Sequence, residues 1–242
     1  MTEEVLLMAR IRDLPNLQDK IALFAQYLRD EHQYTALSYG CVLNENDQVD
    51  GLHYLQDGIP QEWLEIYHRC GYQAYDSGLR HVFSGHSVLL KSQTYRMARD
   101  RQLHGPELSA ALQSNEFFKS GFCFRVGQVA VPTGIALHSK TLEDRQHDQY
   151  FARHELFLTE LCRQFDTAVS WGDSIIDKTG LTEQNLRVLR VLAKGNRKAE
   201  MLEELGMQSY TSIATHMARV RKLLQVSTDN QALRRAAALA LI

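Results

Sequence analysis

Between Ser209 and Lys222 the chain gathers side chains of the types that can meet nucleic acid. Ser209, Thr211, Ser212, Thr215 and His216 supply hydroxyls and an imidazole, and Arg219, Arg221 and Lys222 add cations one to two turns later. Hydroxyls near a helix N-terminus can reach phosphates and base edges, and the helix dipole helps hold phosphate there. The same residues would also suit a solvated cationic face on an ordinary four-helix domain.

Four short helices must position them. Thr182 is a candidate N-cap, with Glu183 in the first turn. Leu186, Leu189, Val191, Leu192 and Ala193 recur at roughly helical spacing, and Gly195 supplies a left-handed stop. A second helix is expected from about Arg197 to Leu205, stopped by Gly206. Ser209 is expected to cap a third, with Ile213, Met217, Val220 and Leu224 on its inner face. A fourth follows Asp229 and places Leu233, Ala236, Ala237 and Ala240 on one side. That side is apolar enough to predict a role in pairing two copies on a two-fold site.

Charge separates this tail from the rest. From Asp177 to Ile242 there are 11 Lys and Arg against 6 Asp and Glu, about +5; the remainder carries 16 against 23, or −7. A near-neutral chain is thus a basic tail on an acidic body. At 242 residues it exceeds one typical domain. No apolar run approaches 18 residues and Met1-Thr2-Glu3-Glu4 is acidic, so neither a membrane span nor a signal peptide is expected, and the location predicted is cytoplasmic. Cys41, Cys70, Cys123 and Cys162 lack metal spacing and read as thiols. An enzyme is not expected. His81/His86 and His147/His154 lack the spacing of a metal site, and neither a Gly-x-Ser-x-Gly motif nor a phosphate loop occurs. No cofactor and no metal follow from the sequence.

The front region, to about residue 170, reads as α+β. A helix is expected near Asn16–Glu31, with Leu17, Ile21, Phe24 and Leu28 on one face, then strands at Tyr34–Leu43 and Gly51–Leu55 around an Asn44–Asp47 turn. Pro60 opens a helix, Gln61–Tyr72. A break is expected at Gly105-Pro106, then strands Phe122–Val126 and Gln128–Ser139, then a long helix capped by Thr141 and burying Phe151, Leu158, Leu161, Phe165 and Ala168. Trp63 and Tyr67 stand four apart, which by spacing alone is a core pair.

The segment Leu181–Ile242 resembles the C-terminal DNA-binding domain of LuxR-type transcriptional regulators. The likeness rests on Leu181-Thr182, on Leu189–Gly195 with Ala193, and on Ser209, Ser212, Ile213 and His216. It continues through Leu224-Gln225-Val226, Gln231-Ala232 and Ala240-Leu241-Ile242. Gln184-Asn185 replaces the family's Arg-Glu, and Leu223 replaces a Lys. The front region resembles the acyl-homoserine-lactone sensor domain of the same regulators through Pro60, Trp63, Tyr67, Tyr72 and Asp76. Gly121 and the strand pair after it align with that domain's sheet.

The resemblance implies an α/β/α sandwich at residues 1–170, a linker at 171–179 and an all-α four-helix helix-turn-helix domain at 180–242. It implies a ligand, an N-acyl-homoserine lactone: Asp76 accepts its amide N–H, Trp63 donates to its lactone carbonyl and Tyr67 packs on its acyl chain. It further implies double-stranded DNA as partner, read by Ser209, Thr211, Ser212, Thr215, His216, Arg219 and Lys222 at a palindromic promoter site, and a homodimer. Four positions of the expected pocket depart from the pattern. Ile59 replaces a Tyr, Ser77 a Pro, Lys91 a wall Trp, and Leu137 a Ser or Thr. A dry ammonium at Lys91 would be costly, so the pocket edge is expected to be open or reshaped. The alternative is a divergent receptor homologue that takes another ligand or none and acts through a heterodimer or a small inhibitory protein.

Overall fold

The computed structural model describes residues 2–42, 52–84, 88–127, 133–169, 180–239 and 241–242. The expected turn Asn44–Asp47, the start of the strand expected from Gln128, the linker 171–179 and Ala240 lie outside them. The described chain divides into a first unit ending at Val169 and a second that holds the helices from Glu183 onward.

The first unit is built on a five-stranded antiparallel sheet in the order β2-β1-β5-β4-β3. Its strands are β1 (Ala36–Val42), β2 (Leu52–Asp57), β3 (Leu89–Leu90), β4 (Ser120–Arg125) and β5 (Thr133–Ser139). Register sets Leu37 and Phe122 beside Leu137, and Ser38 and Cys123 beside Ala136. Since successive side chains alternate between faces, the two faces differ sharply in bulk. One carries Leu37, Tyr39, Phe122, Phe124, Ile135 and Leu137, all buried. On the three central strands the other carries mostly small residues, Ser38, Gly40, Gly121, Cys123, Gly134 and Ala136, beside His138 and Arg125, and Tyr54, Gln56 and Leu89 share it from the edge strands.

The bulky face packs on α2 (Leu17–His32) and α7 (Asp144–Ala168), and α1 (Glu3–Asp13) packs on both helices. Phe24 stacks on Phe165 at 4.2 Å, Tyr39 meets Phe165 edge-on, and Phe122 meets Phe151 at 4.6 Å. Asn16 caps α2 by accepting from the Asp19 N–H at 2.8 Å, the side-chain cap expected of Asn at that position. The small face is covered by α4 (Ser77–Phe83) and α5 (Lys91–Arg99), with α3 (Gln61–Arg69) and α6 (Gly105–Phe117) around them. Small side chains under a helical cover leave space, and that space is the cavity described below. The strand contact is close at Gly121. A Cβ there would lie 2.3 Å from the Leu137 carbonyl oxygen.

Several expectations change in detail. α3 ends at Arg69, because Gly71 turns left-handed (φ 62°) into a 3-10 turn, Tyr72–Ala74. Gly105-Pro106 is not a break but the start of α6, where proline needs no intrahelical donor. Thr141 does not cap α7. The cap residue is Glu143, whose N–H donates to Gln146 Oε1 at 3.3 Å, and the Thr141 hydroxyl instead lies 3.2 Å from Ser139 Oγ. Elements not expected from the sequence are α1, α4, α5, α6 and β3.

The second unit comprises α8 (Glu183–Ala193), α9 (Lys198–Leu205), α10 (Tyr210–Leu223) and α11 (Asp229–Ala238). Thr182 caps α8, accepting from the Asn185 N–H at 3.3 Å. Gly206 is left-handed (φ 64°), which frees the chain to turn into α10 within four residues. The core is Leu186, Leu189, Leu205, Ile213, Met217, Val220 and Leu224. Ala193 is exposed, outside the stripe assigned to it. The buried face of α11 is Ala232, Ala236 and Leu239, with Ala237 exposed and Leu233 half-buried. Of the side expected to be apolar, Ala236 is thus buried within the unit, while Leu233 and Ala237 keep exposed surface. Arg235, buried beside it, donates to the carbonyls of Leu224 at 2.8 Å and Gln225 at 3.3 Å. It thereby satisfies orphan acceptors at the C-terminus of α10.

Candidate ligand cavity and nucleic-acid face

The cavity lies within the first unit, has a volume of about 210 Å³, and is floored by the small face of the sheet. Six of the eight ligand residues expected from the sequence line it: Ile59, Trp63, Tyr67, Asp76, Lys91 and Gly121. Tyr72 and Leu137 do not. Tyr72 is buried under Trp63, its ring 6.2 Å away, and its hydroxyl donates to Gln113 Oε1 at 2.8 Å. Leu137 points to the bulky face. A shift of one residue in a strand moves a side chain to the other face, and the floor positions here are Ala136 and His138.

Trp63 and Tyr67 do pack as an i, i+4 pair, with ring centroids 5.6 Å apart. They belong to the cavity wall as well, so core packing and cavity lining are not alternatives here. Asp76 is doubly engaged. Its Oδ1 caps α4 by accepting from the Leu79 N–H at 3.0 Å, and its Oδ2 accepts from the Tyr67 hydroxyl at 2.9 Å. A carboxylate offers about four acceptor sites, so capacity for a further donor remains. Burial, then the Asp76 charge, pushes the Tyr67 phenol far above its ordinary range, so it stays a donor. The Trp63 indole N–H makes no hydrogen bond among the described residues, which leaves it a donor for a ligand oxygen.

A second polar group sits two residues back along β4, where Gly121 faces His138. Lys91 opens α5. Its ammonium donates to the main-chain oxygens of Ser114, at 3.0 Å, and of Phe118, and lies 5.3 Å from the centres of the Tyr95 and Phe118 rings. Burial draws its pKa down to about 7, opposed by the charge of Asp144. His138 stacks on Phe118 at 4.5 Å. Its Nδ1 is buried without a hydrogen bond, and burial holds the ring neutral, with a pKa drawn down to about 3. The Tyr95 hydroxyl is also buried without a partner of good geometry. Cys123 lines the cavity too, but burial raises its thiol pKa well above the ordinary value, so it is an inert wall. Sequence reasoning missed Tyr95, Ser114 and His138. The signal that could have found the floor is the alternation of small and bulky residues in 38–41, 121–124 and 134–138.

In the second unit, Ser209, Thr211, Ser212, Thr215, Arg219 and Lys222 are all exposed along α10 and its cap, and His216 is half-buried. Ser209 is the cap residue, but its hydroxyl lies 3.3 Å from Ser212 Oγ rather than capping the helix. Thr215 Oγ1 donates to the Thr211 carbonyl at 2.9 Å. Arg221 pairs with Asp229, while Arg219 and Lys222 form no ion pair among the described residues. Asn185 is 1% exposed and sets the imidazole. Its Oδ1 accepts from the Thr182 N–H and hydroxyl, so its amide nitrogen must be what faces His216 Nδ1 at 3.1 Å. A neutral His216 then carries its proton on Nε2. Asn185 thus has an internal task, a cap and an orienting bond.

The sequence matches no family model and no curated protein. Solved structures do resemble the fold. Escherichia coli SdiA is 13% identical, with 99% of this chain and 97% of that chain covered at a TM-score of 0.50. CepR2 of Burkholderia cenocepacia, described as an N-acylhomoserine lactone dependent LuxR family transcription factor, is 12% identical. It covers 69% of this chain and 93% of its own at a TM-score of 0.49. The likeness to SdiA is one of fold, a five-stranded antiparallel sheet with helices followed by a helical region.

Proposed function

We propose that the chain is a ligand-responsive transcriptional regulator. The first unit binds an acylated head group of the N-acyl-homoserine lactone type, and the second binds a palindromic DNA site. One observation carries the reading. The residues picked out by sequence resemblance, Trp63, Tyr67 and Asp76, line a single mostly apolar cavity, in which Tyr67 donates to Asp76 and Asp76 keeps capacity to accept a further hydrogen bond. Ligand sites of this kind are apolar clefts with a few convergent polar groups. In this reading Asp76 accepts the ligand amide N–H, Trp63 donates to a head-group carbonyl and Tyr67 walls the acyl chain. Ile59 contributes only apolar surface.

The second unit supports DNA as the partner through its turn and exposed α10 face. Ser209 and Ser212 serve phosphate, Thr211, Thr215 and His216 the base edges, and Arg219 and Lys222 the flanking phosphates. We assign the protein no catalytic step, and we take it to act as a homodimer in the cytoplasm.

The test has two arms. Melting temperature is followed over lactones with acyl chains from four to about twelve carbons, and mobility shift is followed on a palindromic promoter site with and without the stabilising lactone. A lactone that stabilises wild type but not Asp76→Asn supports the assignment. Asn keeps an oxygen to cap α4 but weakens the acceptor for the amide. Stabilisation that persists in Asp76→Asn puts the ligand elsewhere, and no stabilisation by any chain length removes the lactone.

A further inference from the structure

Lys91 is the largest chemical anomaly of the cavity. A primary amine is set into an apolar wall, and no carboxylate lies within ion-pair distance of it among the described residues. The charged groups around it are few. Asp144 at the start of α7 attracts it from beyond that distance; it feels the charges of Asp148, Glu143 and Arg96 as well, and its Oδ1 is buried without a hydrogen bond. Asp76 and Glu107 line the same cavity, and each has its own partner: the Leu79 N–H and the Tyr67 hydroxyl on Asp76, and Arg80 on Glu107. Tyr95 on the same helix and His138 on β5 are held neutral by burial, and Lys91 and His147 lower the His138 pKa further.

The Lys91 ammonium has three donors. Two are used on the Ser114 and Phe118 carbonyls, which fixes the nitrogen in place, and one remains. Tyr95 Oη and His138 Nδ1 are further polar atoms left unpaired at the same end of the cavity. A buried polar group without a partner is costly, and a buried charge more so. A neutral lactone would offer these donors carbonyl oxygens but no counter-charge. An anion would supply the missing counter-charge and up to four acceptor sites.

We propose that the cavity takes an acyl ligand ending in a carboxylate, seated on Lys91 with Tyr95 and His138 as additional donors. The inference rests on the cavity being the ligand site and changes the head group that it prefers. Two sources share this chemistry. One is an N-acylated amino acid such as ring-opened N-acyl-homoserine, which keeps the amide for Asp76. The other is a free fatty acid, which has no amide.

The full-length protein is titrated calorimetrically at pH 6 with N-octanoyl-homoserine, its lactone, its neutral carboxamide and decanoate. At least one of the two acids is expected to bind about tenfold or more tighter than the lactone and the carboxamide, the range of a buried charge-assisted hydrogen bond. Between pH 6 and 8.5 the acid should weaken about fivefold or more as the ammonium deprotonates, while the carboxamide stays level. Lys91→Met should bring the acid down to the level of the carboxamide. Should that variant fail to fold, wild type titrated at pH 7 in two buffers of different ionisation enthalpy gives the same information. Acids should take up protons and neutral ligands should not. Asp76→Asn separates the sources, since it weakens the acylated amino acid and leaves decanoate unchanged. Lactone binding tighter than either acid, or acid binding without proton uptake, overturns the inference and leaves the cavity assignment standing. Failure of all four ligands overturns both.

Discussion

The two units use polar side chains in opposite directions. On α10 the hydroxyls and cations face outward, and a 3.6-residue period separates them from the buried stripe of Ile213, Met217 and Val220. In the first unit the polar groups face inward, and what exposes them is the missing bulk on one face of a sheet. An outward surface needs only one helix to be correct. An inward one needs five strands and four covering helices in register before Asp76 and Lys91 meet the same space.

That contrast can be broken most severely at the last helix. Ending the chain before Asp229 removes Ala232, Ala236, Leu239 and the Arg235 bonds to the end of α10. The second unit should lose its cooperative melting transition altogether, while lactone or acid binding by the first unit persists. Circular dichroism and calorimetry read the two separately. A truncated chain that keeps both transitions would return α11 to a purely intermolecular role.

Neighbouring residues on β5 sharpen the contrast inside the first unit. Leu137→Ala, on the bulky face, should cost about 2–5 kcal/mol in urea unfolding, as large-to-small core changes do, and leave ligand preference unchanged. Ala136→Phe, one residue away, should fill the cavity and abolish ligand-dependent melting shifts. Equal effects on ligand from both would mean that the two faces are not independent.

On the outward surface, Arg219→Ala with Lys222→Ala should weaken binding to every DNA sequence and reduce the salt slope by about two. An unchanged slope would displace α10 from the backbone. Smaller again is the ligand-free pH response. The folded pKa of Lys91, about 7, lies below its ordinary value of 10.5. The unfolded chain therefore holds the proton more strongly. The penalty is full below pH 7 and fades as pH rises toward 10.5, so the melting-temperature gap between Lys91→Met and wild type should narrow from pH 7 to 9. Parallel curves would show that the amine is hydrated. The smallest effect is at the cap. Thr182→Ala should destabilise the second unit by about 1 kcal/mol, read in its own melting transition, and should loosen His216 through Asn185.

Legibility followed the same division. All four helices of the second unit were readable because each carries its own stripe and stop, with Gly206 marking the turn. Face errors arose at Ala193 and Ala237, since alanine is apolar enough to fit either side. In the first unit α2, α3, α7 and most of the sheet were readable. α5 was not, because Lys91–Arg99 buries mainly Ser92 and shows no apolar stripe. Trp63, Tyr67 and Asp76 were found through motif resemblance, and Lys91 as a departure from it. His138 and Tyr95 come to the cavity from separate elements, and only β5 pairing with β4 brings His138 opposite Gly121. Leu137 was misplaced by one residue because strand parity depends on where the strand begins, and that beginning lies outside any local signal.

The small face of the sheet works as a ruler. Ser38, Ala136 and Cys123 stand side by side across three strands, roughly 5 Å apart, with the next marks two residues along, about 7 Å away. Enlarging one mark shortens the available space at that step alone and leaves Tyr39, Leu137 and Phe122 on the opposite face untouched. Gly134 is the closed end of the scale, because a Cβ there would meet Val82 Cγ1 at 2.2 Å. On the proposed ligand assignment, single substitutions on this face would change the length of ligand accepted without redesigning the core that holds the sheet.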